Sequence, residues 1–201
     1  IKKPIDIYGD RKNSKGLDLS EEDVVESFQF NGKFKDIKAY SLINGKDIKS
    51  DKEIDIKSPH SSSVLGKKYF ADEKISETAI ESLKEYSSKW KKFPIEKKAE
   101  IFLKFANLIE DNTNDIIEIC AKESGKSIKN SIAEIREAID FCRYYSKEAL
   151  NLFQTQTLKG PTGELNQYRM VGKGLSFVVS PWNFPVAIFT GQTVAALITG
   201  N

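Results

Sequence analysis

Apolar residues recur with a helical period through the middle of the chain. Ala79, Leu83, Tyr86 and Trp90 step by four, three and four, which predicts one face of a helix. Phe93-Pro94 breaks that run, and Pro94 suits the first turn of the next helix. Ile101, Phe105 and Ile109 carry the period on, with Phe102 widening the stripe. Ile116, Ile117 and Cys120 follow before Gly125. Ile128, Ile132, Ile135, Ile139 and Cys142 then step by four, three, four and three. The pattern predicts helix from Asp72 to about Leu152.

The pattern differs on both sides of this stretch. Residues 1–40 are polar and irregular and read as a connector or extended arm. Ser20 is placed to cap a short helix ending near Phe28, with Asp23 in a capping-box-like position. Tyr40–Ile43 runs into Asn44-Gly45, the strongest short hairpin signal. Ile48, Ile54 and Ile56 alternate, and Val64–Phe70 suits another short strand. Beyond the helices, Gly160–Gly163 is a turn, Leu165–Val171 a strand and Gly172-Lys173-Gly174 a tight turn. Leu175–Ser180 has the continuous apolar character of a buried parallel strand. Pro181–Pro185 forms a rigid loop, and Val186–Thr199 is a helix apolar nearly all round. Such a helix expects cover on every side, so Val186, Ile188, Phe189, Val194, Leu197 and Ile198 are expected to be partly exposed without it. A strand-loop-helix unit of this kind opens an α/β layer with a ligand at the strand's C-terminal end. Neither a GxGxxG fingerprint nor a GxxxxGK[ST] loop is present.

Composition narrows the chemistry. The 201 residues carry 31 basic and 29 acidic side chains, a net +2 with both signs interspersed, so no nucleic-acid partner is indicated. No run of about 18 apolar residues exists, so no transmembrane segment is expected. Two cysteines and one histidine exclude a disulfide framework and a four-ligand zinc site, and no metal is expected. His60 lies in the polar stretch Ser58–Ser63 and reads as a loop residue. Cys120 and Cys142 sit on apolar helix faces and read as core. The chain begins at Ile1 and ends just after a helix stop at Gly200, which reads as a fragment.

Ser180-Pro181-Trp182-Asn183-Phe184-Pro185, followed by an apolar helix ending in Gly200-Asn201, resembles the signature stretch of the aldehyde dehydrogenase superfamily. Glu123–Ser127, Ala133–Tyr145, Gly160–Glu164 and Ile188–Gln192 are similar to one branch of it. That branch is the glutamate γ-semialdehyde (1-pyrroline-5-carboxylate) dehydrogenase domain of the bifunctional PutA-type proline-utilisation proteins. Arg11–Leu19 is similar to the segment joining the two halves of the bifunctional proteins.

The resemblance implies an α/β fold: the N-terminal part of an aldehyde dehydrogenase, comprising a helical segment and the start of an incomplete Rossmann-like NAD-binding sheet. Residues 1–40 would be a connector and 41–201 the first portion of the dehydrogenase domain. It implies NAD-dependent oxidation of an aldehyde to an acid, with a thiolate attacking the aldehyde and a glutamate activating water. Asn183 matches the oxyanion-hole asparagine, Ser180, Pro181 and Trp182 match positions lining the NAD site, and Glu137 matches a helical glutamate near the aldehyde entrance. The thiolate, the glutamate base and a ribose-binding lysine match no residue here, their places lying beyond Asn201. The chain alone is therefore expected to be inactive and to bind NAD weakly or not at all. A cytoplasmic location, a small aldehyde substrate, and a complementary fragment or homo-oligomer as partner also follow from the resemblance. Two alternatives stay open: a non-catalytic remnant serving as an interaction module, and a piece of a dehydrogenase for another aldehyde such as succinate semialdehyde.

Overall fold

Asn44 and Gly45 both adopt left-handed backbone conformations, φ +51° and +71°, and so make the tight turn their sequence calls for. In this computed structural model, which describes residues 1–3, 6–28, 30, 32 and 36–201, that turn joins β2 (Ser41–Ile43) to β3 (Lys46–Ile48) in antiparallel register. The hairpin belongs to one of two compact units, formed by Gly16–Tyr86 and Asp111–Arg136. The other unit comprises Ile1–Lys15, Ser87–Glu110 and Glu137–Asn201.

The first of these units opens with α1 (Glu22–Glu26). The expected cap at Ser20 does not form. Glu21 takes the N-cap position without a side-chain cap bond, and the Ser20 hydroxyl instead donates to Asp18 at 2.7 Å. An Asx-type local bond has outcompeted the capping box. A three-stranded sheet has the order β1 (Ile37–Ala39), β5 (Val64–Tyr69), β4 (Glu53–Lys57), with β1 parallel and β4 antiparallel to β5. Gly66 lies opposite Ile37, where a Cβ would collide with the β1 backbone. α4 (Thr113–Ser124) ends at Gly125, φ +68°; the Gly125 amide donates to Ala121 and the Lys126 amide to Cys120, closing the helix end. Ile117, Cys120, Ile132 and Ile135 are buried here. Glu134, wholly buried, pairs with Lys126. The Val64–Phe70 strand and the α4 core thus match the sequence pattern.

The second unit is built on three helices. α3 (Ile95–Asp111) contributes Ala99, Phe102, Ala106 and Ile109 to the core. α5 (Ile128–Leu152) contributes Ala138, Ile139, Cys142 and Ala149 from its C-terminal part. α6 (Ala187–Ile198) contributes Ala187, Val194 and Ile198. The α5 stripe is the one its spacing predicts. α3 differs: Phe102 is buried, while Ile101 and Phe105 are exposed. α2 (Glu73–Lys92) also departs from its expected face, since Leu83 and Tyr86 are both 53% exposed and no residue of this helix is buried. In both helices apolar residues occupy more than one face, so spacing alone does not select the packed one.

The N-terminal arm is held to the helices by polar contacts. The Ser14 amide and hydroxyl donate to Asp140 at 2.7 and 2.9 Å. The Arg143 guanidinium donates to the Asn13 carbonyl at 2.9 Å, to Asn107 at 3.1 Å and to Glu110 at 2.6 Å. Glu110 also accepts from the Lys15 amide at 2.8 Å. A short antiparallel pair, β6 (Gln156–Leu158) and β7 (Asn166–Tyr168), follows α5.

Leu175–Ser180 is not a strand. No described residue pairs with it, and Phe177 is 94% exposed. A strand exists only in a ladder, and apolar composition supplies the surface for one without supplying the neighbour. α6 bears out its expected partial exposure at Phe189, whereas Val194 and Ile198 are buried.

Candidate active site

Two prolines bracket the loop between the extended segment and α6. Pro181 opens a tight turn: the Phe184 amide donates to the Pro181 carbonyl at 3.3 Å, placing Trp182 and Asn183 at its two corners. Proline at the first position limits the backbone there, and Pro185 limits it again at the exit. The chain then enters α6 directly, the Ile188 amide donating to Phe184 at 3.4 Å and the Thr190 amide to Val186 at 3.0 Å. Asn183 therefore stands just ahead of the N-terminus of a twelve-residue helix. Its side chain is exposed. A carboxamide carries two N–H donors and no charge, and a helix N-terminus adds a positive field. The pairing suits stabilisation of negative charge on an oxygen.

The segment ahead of the turn is tied to the same helix. The Val179 amide donates to the Gln192 side chain at 3.0 Å. Ser180 is half-buried, Pro181 exposed, and Trp182 80% exposed. Ser180, Pro181, Trp182 and Asn183 thus form one continuous surface at the end of the extended segment.

Glu137 lies apart in sequence, exposed on α5. It stands one helical turn before Phe141, on the same face. Phe141 packs against Gly191 of α6 so closely that a Cβ on Gly191 would lie 2.8 Å from the ring. The helix bearing Glu137 is thereby seated on the helix that follows Asn183.

Neither cysteine is a nucleophile. Burial pushes the Cys120 thiol up to about 11, with the Glu134 charge adding to the effect. Burial likewise pushes Cys142 up to about 12. Both stay protonated at neutral pH, as core thiols do. His60 is exposed in a turn, and among the described residues no cluster of potential metal ligands occurs. Gln192 went unassigned in the sequence reading; its signal was a lone amide side chain within an apolar helix. The Arg143 network also went unread, since its partners lie up to 130 residues away.

The aldehyde dehydrogenase family model matches residues 47–201, so the chain belongs to that family. It forms the N-terminal part of that fold. Among its relatives, the 1-pyrroline-5-carboxylate dehydrogenase of Bacillus subtilis (strain 168) is 36% identical over 161 residues, covering 80% of this chain and 31% of that protein. The crystal structure of proline utilization A (PutA) from Bdellovibrio bacteriovorus superposes with a TM-score of 0.89 at 30% identity, over 100% of this chain and 21% of that one. A 1-pyrroline-5-carboxylate dehydrogenase from Thermus with bound NAD superposes with a TM-score of 0.87 at 27% identity, over 94% of this chain and 38% of that one. The chain thus spans about a third of the curated relative it matches. Among the described residues no helix is long and apolar enough to cross a membrane.

Proposed function

We propose that this chain is the N-terminal part of an NAD-dependent L-glutamate γ-semialdehyde dehydrogenase of proline catabolism, with Asn183 as its oxyanion donor. The observation that carries the reading is the position of Asn183, at the corner of a proline-bracketed turn immediately before the α6 N-terminus. In this reading a thiolate attacks the aldehyde carbon, and the Asn183 N–H donates to the oxygen as charge develops there. A donor held rigid before reaction pays no reorganisation cost at the barrier, which is why such groups are worth several kcal/mol in a dry site. The thiolate comes from sequence beyond Asn201, since Cys120 and Cys142 are buried and protonated.

NAD, when bound, accepts the hydride. Ser180, Pro181 and Trp182 would form part of its wall: the exposed indole offers an apolar face and Ser180 a hydroxyl, a donor set that fits a dinucleotide. Glu137 would stand near the aldehyde entrance. Residues 1–40 would serve as the connector ahead of the dehydrogenase portion at 41–201. A cytoplasmic location and a complementary polypeptide or second copy as partner belong to the same reading.

The test is NADH formation from glutamate γ-semialdehyde by this chain supplied with its continuation as a second polypeptide. Asn183→Ala should then lower kcat by roughly 10²–10³. The chain alone should form no NADH and show little or no NAD affinity. An unchanged kcat in the Asn183→Ala assembly would remove Asn183 from the chemistry. A folded but inactive assembly would favour the remnant reading, in which the exposed Phe177, Trp182 and Phe189 serve only as a contact surface.

A further inference from the structure

At the C-terminal end of α6, the structure holds a cavity of about 530 Å³ whose lining includes Lys91, Lys92, Lys98 and Arg169. Among the described residues no carboxylate lines it. The floor is unusual. Lys98 is only 3% exposed, yet no carboxylate or other hydrogen-bond acceptor of the described residues pairs with its ammonium. What the ammonium does meet is the face of Trp90, 5.2 Å from the ring centroid. It also closes on the backbone at Gly200, where a Cβ would stand 3.3 Å from Nζ.

A buried cation without a counter-charge is costly and is ordinarily paired. The cation–π contact offsets only part of that cost. Burial lowers the Lys98 pKa below its ordinary 10.5, the sign of an ammonium short of compensation. Lys91, Lys92 and Arg169 are exposed and add three more positive charges around the mouth. Met170, Val171 and Phe93 supply apolar wall between them.

We propose that this cavity is a binding site for a small oxyanion, phosphoryl or carboxylate, with Lys98 as the buried charge that receives it and Arg169 as a rim ligand. An anion seated here would neutralise the Lys98 ammonium, which has no acidic partner among the described residues. A guanidinium at the rim gives two-point recognition of either oxyanion.

Trp90 provides the readout, since any anion drawn to Lys98 arrives beside its indole. The experiment is a fluorescence titration of the full chain in a Trp182→Phe background, where Trp90 is the only indole left. Inorganic phosphate and glutarate are titrated separately at constant ionic strength, with sodium chloride as the control. The expected result is a saturable change with phosphate, glutarate or both. The stronger of the two identifies the source as phosphoryl or carboxylate. Lys98→Met should weaken that binding at least tenfold, and Arg169→Gln severalfold. Arg169 is exposed, so its replacement leaves folding intact if Lys98→Met does not. A response equal to that of chloride, or binding that survives both substitutions unchanged, overturns the proposal.

Discussion

Gly191 of α6 lies directly against the Phe141 ring of α5. A Cβ there would lie 2.8 and 2.9 Å from two ring carbons of Phe141 and 3.2 Å from a third, its attachment point. Gly191→Ala therefore brings two opposing effects. Alanine in place of glycine inside a helix stabilises by about 1 kcal/mol. Forcing a methyl group into a filled contact typically costs about 1–3 kcal/mol. The ring cannot simply swing aside: Phe141 stacks on Tyr145, with centroids 5.8 Å apart. With the ring held, the clash falls in the upper part of that range, about 2–3 kcal/mol, and prevails with a net loss of about 1–2 kcal/mol, equivalent to roughly 2–8 °C in melting temperature for a chain of this size. Urea unfolding followed by far-ultraviolet circular dichroism measures the loss. Phe141→Leu removes the clash, and in that background Gly191→Ala should instead gain about 1 kcal/mol. The coupling across the double-mutant cycle is then about 2–3 kcal/mol. A Gly191→Ala protein as stable as the parent, or a cycle with no coupling, refutes the reasoning that this contact seats α5 on α6.

Four further outcomes follow from the same structure. Arg143→Met leaves Glu110, Asn107 and the Asn13 carbonyl without their donor and should cost about 3 kcal/mol in urea unfolding, as loss of one partner of a buried pair does. Burial pushes the Glu110 carboxyl up, but donation from Arg143 and the Lys15 amide outweighs it and leaves the pKa below 4.5. A carboxyl depressed by folding stabilises above its unfolded pKa and loses that contribution as pH falls through the folded value. Stability should thus drop below about pH 4.5, and less steeply in Arg143→Met, as read from melting temperature against pH. The two thiols should resist iodoacetamide at pH 8 in the folded chain and react fully in urea. Because folding raises both pKa values from 9.0, their ionisation in the unfolded chain should also erode stability as pH climbs above 9.0, the loss extending toward 11 and 12.

The elements that read correctly from the sequence are those with local causes. Asn44-Gly45 makes its turn through the backbone freedom of those two residues, whatever lies around it. The α5 stripe is narrow, so Ile132, Ile135, Ile139 and Cys142 had one face to bury and bury it. α3 carries apolar side chains over a wider arc, and only packing decided for Phe102 against Phe105. Leu175–Ser180 has a strand's composition but no neighbour among the described residues to supply the other half of a ladder. Ser180–Asn183 could be read as a candidate site because the stretch is contiguous and resembles the family signature. Glu137 could be placed on an exposed helix face by its spacing from Ile135. The Arg143 clamp and the buried Lys98 were not legible, because each depends on contacts that chain folding makes between distant segments.

The most direct test of the account is NADH production from glutamate γ-semialdehyde when this chain and its continuation are mixed. The account predicts turnover in the mixture alone, preference for this substrate over succinate semialdehyde, and a loss of roughly 10²–10³ in kcat with Asn183→Ala. Turnover untouched by Asn183→Ala, or a stably folded mixture that forms no NADH, would contradict it.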